Sequence, residues 1–257
     1  MRKIVHLRSP SSRFPRGREF AHAGKFGDII YALPAVRSLG GGKLWLHDWA
    51  CETLMEMTPA AVGVIRPLLL AQPYITEVNW CQQRPAAAVD LSAFRSRSNR
   101  FARSLPLTRQ VLRCCGLPEQ LDVEPWLRVD FAVARAPVVM ARSGRYQNPN
   151  FPWREAVQMY RGKAVFLGTQ AEHRVFVDEF GAVPWARTAD FMEAARIIAG
   201  ARLFVGNQSA LRAIAEGLKA NVVQEVCPEM PNTCFGRPGE INISAHCPES
   251  LPYLPGF

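Results

Sequence analysis

The sequence predicts an α/β protein made of two Rossmann-like domains, residues 1–133 and 134–257, facing a cleft. Three observations carry this. Short apolar strand-like runs alternate with helical runs along most of the chain, the pattern of right-handed βαβ units and parallel sheets. The alternation breaks around "VDFAVARAP", near residues 130–137, and then restarts. Each half also holds a glycine-containing turn ahead of a helical run, "HAGKFGD" (22–28) and "VGNQSA" (205–210). In open α/β sheets ligands bind outside the carboxyl ends of the strands, so both turns are placed on the rim of the cleft.

The elements follow in order. "KIVHL" (3–7) reads as a buried strand and "SPSSRFPRGREF" (9–20) as a polar, arginine-rich loop or hairpin. "DIIYALPAVRSLG" sets Ile29, Ile30, Leu33, Val36 and Leu39 near helical spacing, and Gly40 to Gly42 end that helix. Pro34 falls in its first two turns, where a missing N–H does least harm. "KLWLH" (43–47) alternates like a strand, 52–58 reads as helical, and "ITEVNWC" (75–81) and "AAAVDLS" (86–92) read as strands. Residues 99–115 read as a basic helix. In the second half, strands are expected at 137–144, 163–168, 202–209 and 221–226, and helices at 153–160, 170–181, 190–201 and 210–218. The tail from 227 is proline-rich and shows no periodicity.

Composition narrows the function. With 31 Lys and Arg against 22 Asp and Glu, the chain carries a formal charge of +9, which suits an anionic partner such as a nucleotide, a phosphosugar, nucleic acid or a membrane surface. The arginines are spread along the chain, which argues against a dedicated nucleic-acid patch. No run of about 18 uncharged apolar residues occurs, so no integral membrane segment is expected, and peripheral membrane contact stays open. Seven cysteines without a CxxC pair fit reduced thiols and a cytoplasmic location. Cys227, Cys234, His246 and Cys247 match no common zinc spacing, no D-x-D triplet is present, and the lysine of "GGGKL" (40–44) leads into a strand instead of Ser or Thr and a helix. No metal and no cofactor are therefore expected.

"GKFGDIIYALPAVRSLGG", "FLGTQAEHRVF" and "ADFMEAARIIAGARLFVGNQSALRAIAEGL" together resemble, in order, three segments of the heptosyltransferase-like glycosyltransferases of family 9, which have the GT-B fold. The matches cover roughly half of the chain. The resemblance implies a compact GT-B fold, a nucleotide-diphosphate sugar as donor substrate, and closest kinship with short phage and bacterial homologues. Three positions depart from the family pattern: Gln208 stands for its aspartate, Ala210 for its glycine and Ala213 for its histidine. The chain is also short for a member. These departures imply a donor sugar other than heptose.

Roles follow for individual residues. Asp28 matches the family's general base, which takes the proton of the attacking hydroxyl; by itself, an aspartate ahead of a helical run also reads as a helix N-cap. Gly24, Lys25 and Gly27 form the acceptor-side turn, with His22 beside it. Gln208, Ser209, Ala210 and Leu211 open a helix whose free N–H groups favour phosphate, and Arg142 and Arg145 add the planar donor fork that suits phosphate oxygens. Ser209 also reads as an ordinary N-cap. By likeness to other GT-B enzymes, Glu216 is assigned to the donor's ribose. The expected activity is inverting, metal-independent glycosyl transfer to a hydroxyl on a glycan, a lipid-linked saccharide or a modified DNA base. The alternatives are a non-catalytic nucleotide-sugar or nucleic-acid binding module and a nucleotide-sugar epimerase.

Overall fold

The computed structural model describes residues 17–48, 57–95, 105–120 and 124–253. The first half builds a four-stranded sheet from β1 (Glu19–Ala23), β2 (Gly42–His47), β3 (Ile75–Trp80) and β4 (Val89–Asp90), in the order β3-β2-β1-β4 with every pairing parallel. Helix α1 (Phe26–Ser38) joins β1 to β2, α2 (Pro59–Leu70) precedes β3, and α3 (Leu107–Cys114) follows β4. The second half builds a five-stranded parallel sheet from β5 (Val138–Ala141), β6 (Ala164–Phe166), β7 (Leu203–Asn207), β8 (Val222–Glu225) and β9 (Glu240–Ile243), in the order β6-β5-β7-β8-β9. Its helices are α4 (Trp153–Met159), α5 (Gln170–Phe180), α6 (Phe191–Gly200) and α7 (Ala210–Gly217).

Local chemistry sets these boundaries. Thr58 caps α2, with Pro59 at its first position, where the absent N–H is not missed. Thr169 and Glu172 close a capping box on α5, Asp190 caps α6 and Ser209 caps α7. A Cβ on Gly42 would lie 2.0 Å from the Arg18 carbonyl oxygen, so only glycine lets β2 start beside the entry to β1.

Several expectations are corrected. The strand expected at 3–7 lies outside the described residues, and β1 is instead formed by Glu19 and Phe20 with the "AHA" that reads as turn. Of the helix expected at 52–58, only residues 57 and 58 are described, and these lead into α2, whose Gly63 and Pro67 obscure its periodicity. The described part of the basic 99–115 helix is α3. The tail contributes a strand, β9, which adds to the edge of the second sheet.

One apolar core runs through both halves. It includes Ile30, Leu33 and Val36 of α1, Val62 and Leu69 of α2, Ile197 of α6, and Ala213 and Ile214 of α7. Among the described helices, α1 packs on α7 and on α3, and α2 packs on α6. These contacts bring the amino-terminal ends of α1 and α7 together: a Cβ on Gly27 would lie 3.5 Å from the Ser209 oxygen and 3.6 Å from the Ala210 nitrogen.

Candidate functional site

Each strand order contains a switch point. β1 lies between β2 and β4, and β5 lies between β6 and β7, so the chain leaves these neighbouring strands in opposite directions and opens a crevice at their carboxyl ends. A cavity of about 420 Å³ occupies both crevices at once. Lys25 and Asp28 enter it after β1, Arg95 after β4, Arg145 and Tyr146 after β5, and Gln208 and Ser209 after β7. Gly27, Tyr31, Gln110, Ala210 and Asn232 also line it.

Asp28 does not cap α1. The cap position belongs to Lys25, which makes no side-chain capping bond, and Asp28 is the third residue of the helix, within its first turn. Its carboxylate instead accepts a hydrogen bond from Arg95 and forms an ion pair with it. The ends of β1 and β4 are locked by Ser92, whose hydroxyl accepts from the Ala23 N–H at 2.6 Å and donates to the Ala23 carbonyl at 3.1 Å. This lock places Arg95 opposite Asp28. A Cβ on Gly24 (φ 150°) would lie 3.0 Å from the Arg95 guanidinium, so the turn must be glycine for Arg95 to occupy this place. Burial lowers the pKa of Lys25, and the Arg145 and Arg95 charges lower it further. Burial lowers that of Arg95 as well, Tyr146 opposing and Arg145 adding to the effect. Three cations thus face one carboxylate, an excess of positive potential that suits a polyanion.

Asn207, absent from the sequence candidates, positions Arg145. Its side-chain oxygen accepts from the Ser143 N–H at 2.9 Å, and its amide donates to the carbonyls of Ser143 (3.0 Å) and Arg145 (2.6 Å). The signal for it was present in "VGNQS": a buried amide at a strand end can satisfy the exposed backbone of the neighbouring loop. The Ser209 hydroxyl accepts from the Arg212 N–H at 3.2 Å and so does the ordinary work of a cap, while the residue itself lines the cavity. Arg95, Tyr31 and Asn232 were likewise missed, because no local pattern distinguishes them.

Other candidates lie elsewhere. Arg142 is buried against Glu225, donating from Nε at 3.1 Å, and against Glu179 at 3.2 Å, and it covers the Phe180 ring; it does not line the cavity. Glu216 is fully buried and receives Arg212 at 3.1 Å, Lys219 at 2.8 Å and Arg237 at 2.9 Å, which leaves its carboxylate no reach toward a ribose. Burial opposes its ionisation, but Arg212, Lys219 and Arg237 outweigh burial and hold its pKa below the usual value. Leu211 packs against the apolar core, and Gly24 sits behind Arg95.

His22 is fully buried beneath the turn, and neither ring nitrogen has a hydrogen-bond partner, so it does not meet an acceptor. Burial, with the Arg95 and His47 charges, lowers its pKa from 6.5 to about 3. The unfolded chain therefore binds a proton that the folded protein excludes between these values. Stability is expected to be full above pH 6.5 and to decline as pH falls toward about 3. His22→Phe should flatten this decline in urea titrations taken at several pH values. An unchanged slope would show that other groups carry it.

No family model and no curated sequence matches the chain. Solved structures do. An iron-containing dodecameric glycosyltransferase, TibC from enterotoxigenic E. coli, matches with a TM-score of 0.56 at 15% identity, covering 89% of this chain and 63% of TibC. The E. coli heptosyltransferase WaaC with ADP-2-deoxy-2-fluoro heptose matches with a TM-score of 0.55 at 11% identity, covering 88% of this chain and 93% of WaaC. A family 9 glycosyltransferase from Veillonella parvula matches with a TM-score of 0.58 at 11% identity, covering 88% of this chain and 85% of that one. The chain spans less than two thirds of the length of TibC. Among its described residues no group of three or more His, Cys, Asp or Glu side chains could hold a metal ion, and no helix is long and apolar enough to cross a membrane. Two parallel sheets that meet at their switch points, together with these likenesses, give the chain the heptosyltransferase-like GT-B fold of family 9 glycosyltransferases.

Proposed function

We propose that the protein is a glycosyltransferase that moves a sugar from a nucleotide-diphosphate donor to a hydroxyl acceptor, with inversion and without a metal. The observation that carries this reading is the meeting of two helix amino termini, Lys25, Arg95 and Arg145 around one carboxylate, Asp28, in a single cavity. As the donor bond breaks, charge develops on the leaving diphosphate. Free N–H groups at the starts of α1 and α7 and the cations Lys25 and Arg145 stabilise it. Asp28 takes the acceptor's proton as its oxygen attacks the anomeric carbon from the face opposite the diphosphate. Arg95 keeps the carboxylate turned into the cavity. Taking the domain division at 133/134, the nucleotide and sugar are held by the second half and the acceptor by the first, with the diphosphate across the division between Lys25 and Arg145. The acceptor is a glycan, a lipid-linked saccharide or a modified DNA base, and the net charge of +9 favours an anionic one.

Nucleotide binding tests the reading. ADP, UDP and GDP titrated calorimetrically should give one site per chain for at least one nucleotide. Arg145→Ala and Lys25→Ala should each weaken it by about ten-fold, since a hydrogen bond to a charged group contributes roughly 1.5–3 kcal/mol. Arg142→Met, which alters a cation outside the cavity, should leave nucleotide affinity within about two-fold while lowering stability. Equal loss of affinity in Arg142→Met would move the diphosphate site away from this cavity. Binding without turnover of any donor would mark a binding module, and interconversion of sugars without an acceptor an epimerase.

A further inference from the structure

Of the three cations in this cavity, Arg145 is the one with most freedom to leave. Arg95 is tied to Asp28 by an ion pair and Lys25 is half-buried at the start of α1, whereas Arg145 is exposed. Like charges also push it outward. The Arg145 charge adds to burial in lowering the pKa of Lys25 and of Arg95, so its guanidinium stands close to both. A long side chain under such repulsion swings into solvent unless something holds it. The structure supplies a ring: the Arg145 guanidinium lies over Tyr146, 5.2 Å from the ring centroid, within the range of a cation–π contact. The same device recurs in the first half, where Arg95 lies over its chain neighbour Phe94 at 5.4 Å.

Tyr146 is held in place at a cost. Its backbone is left-handed, with φ 54°, a region that a bulky side chain rarely enters. The loop around it is over-determined. Asn207 fixes Ser143 and Arg145 on one side, and the Gln147 amide donates back to the Ser143 carbonyl at 2.9 Å. On the other side the Asn148 N–H donates to Glu225 at 2.7 Å, and its amide donates to the carbonyls of Val226 at 2.9 Å and Ser244 at 3.0 Å. Strain of this kind persists only where the surroundings impose it, and it gathers at functional sites. Here it delivers a half-buried aromatic ring to the cavity wall, beside the cation that needs restraint.

We propose that Tyr146 is a positioning residue for the donor's diphosphate: its strained backbone presents a ring that keeps the Arg145 guanidinium in the cavity before the ligand arrives. This rests on the donor reading above. The role is preorganisation. An arginine already restrained in the cavity loses less conformational freedom when it binds phosphate than one that is free in solvent. The ring itself makes no bond to the ligand, so its whole effect passes through Arg145.

Calorimetry with ADP, UDP and GDP tests this. Tyr146→Leu should weaken nucleotide binding by about five-fold, and Tyr146→Phe, which keeps the ring, should hold it within about two-fold of the unmodified protein. The losses at 145 and 146 should not add: in an Arg145→Ala background, Tyr146→Leu should cost nothing further. Tyr146→Asn suits the left-handed backbone, so it should keep or raise the ligand-free melting temperature while losing affinity as Tyr146→Leu does. Additive losses in the double variant would overturn the positioning role, because the ring would then act without Arg145. Unchanged affinity in Tyr146→Leu, or a melting temperature that falls in Tyr146→Asn with affinity intact, would overturn it as well. Each of these results leaves the donor reading standing. Failure of all three nucleotides to bind the unmodified protein would overturn both.

Discussion

Asp28→Asn is expected to lower glycosyl transfer by about 10²–10⁴-fold, the usual cost of removing a general base, with nucleotide affinity little changed. The side chain sits at the carboxyl end of β1, in the cavity that Lys25 and Arg145 make positive. Asp28 is not the cap of α1, which is Lys25, so the substitution should not unravel the helix. The same change also breaks the ion pair with Arg95, and a control is needed for that. Arg95→Gln breaks the pair and keeps the carboxylate. If Asp28 is the base, Arg95→Gln should retain far more turnover than Asp28→Asn, measured as product formed with a saturating donor. Matching losses in the two variants would make the pair a purely structural clasp, and near-normal turnover in Asp28→Asn would remove the residue from the chemistry.

Arg212→Met is expected to destabilise the fold by about 3–5 kcal/mol, the usual cost of removing one partner from a buried ion pair. Arg212 is fully buried on α7 and reaches four partners: Gln224 at 2.7 Å, Glu216 at 3.1 Å, the Thr233 carbonyl at 3.2 Å and Glu240. Without it Glu216 keeps Lys219 and Arg237, but Glu240 loses its charged partner inside the protein. The tail that carries Asn232 and β9 should loosen with it. Urea unfolding of Arg212→Met, and limited proteolysis beyond residue 227, are the measurements. The pH dependence has a defined sign. The pKa of Glu216 is held below its ordinary value of 4.5, so its contribution is present above that value and is lost as pH falls through the lower, folded value. Glu216→Gln should thus cost stability at neutral pH and leave nucleotide affinity intact. The opposite result, lost affinity with unchanged stability, would restore the ribose assignment.

Much of the fold was legible in the sequence. Strands β2, β3, β5, β6, β7 and β8 and helices α1, α4, α5, α6 and α7 fall where apolar periodicity and capping residues place them. What failed there was local. α2 holds two prolines and a glycine, and β9 is four residues of mixed polarity whose strand character comes from pairing with β8. The turns "HAGKFGD" and "VGNQSA" were legible as rim elements because glycine, a cap and a following apolar run are properties of neighbouring residues.

The partners of the charged residues were decided by the tertiary structure alone. Asp28 and Arg95 are 67 positions apart and meet because β4 pairs with β1, across the switch point. Arg142 looks like a phosphate ligand until the pairing of β5 with β7 and of β7 with β8 brings Glu225 to its guanidinium. Glu216 looks like a ribose ligand until the tail returns and buries it against Arg237. Local sequence fixes which residues start and end an element, since those energies act over a few positions. Strand order fixes which charges meet, and a buried charge must be matched wherever its partner lies in the chain.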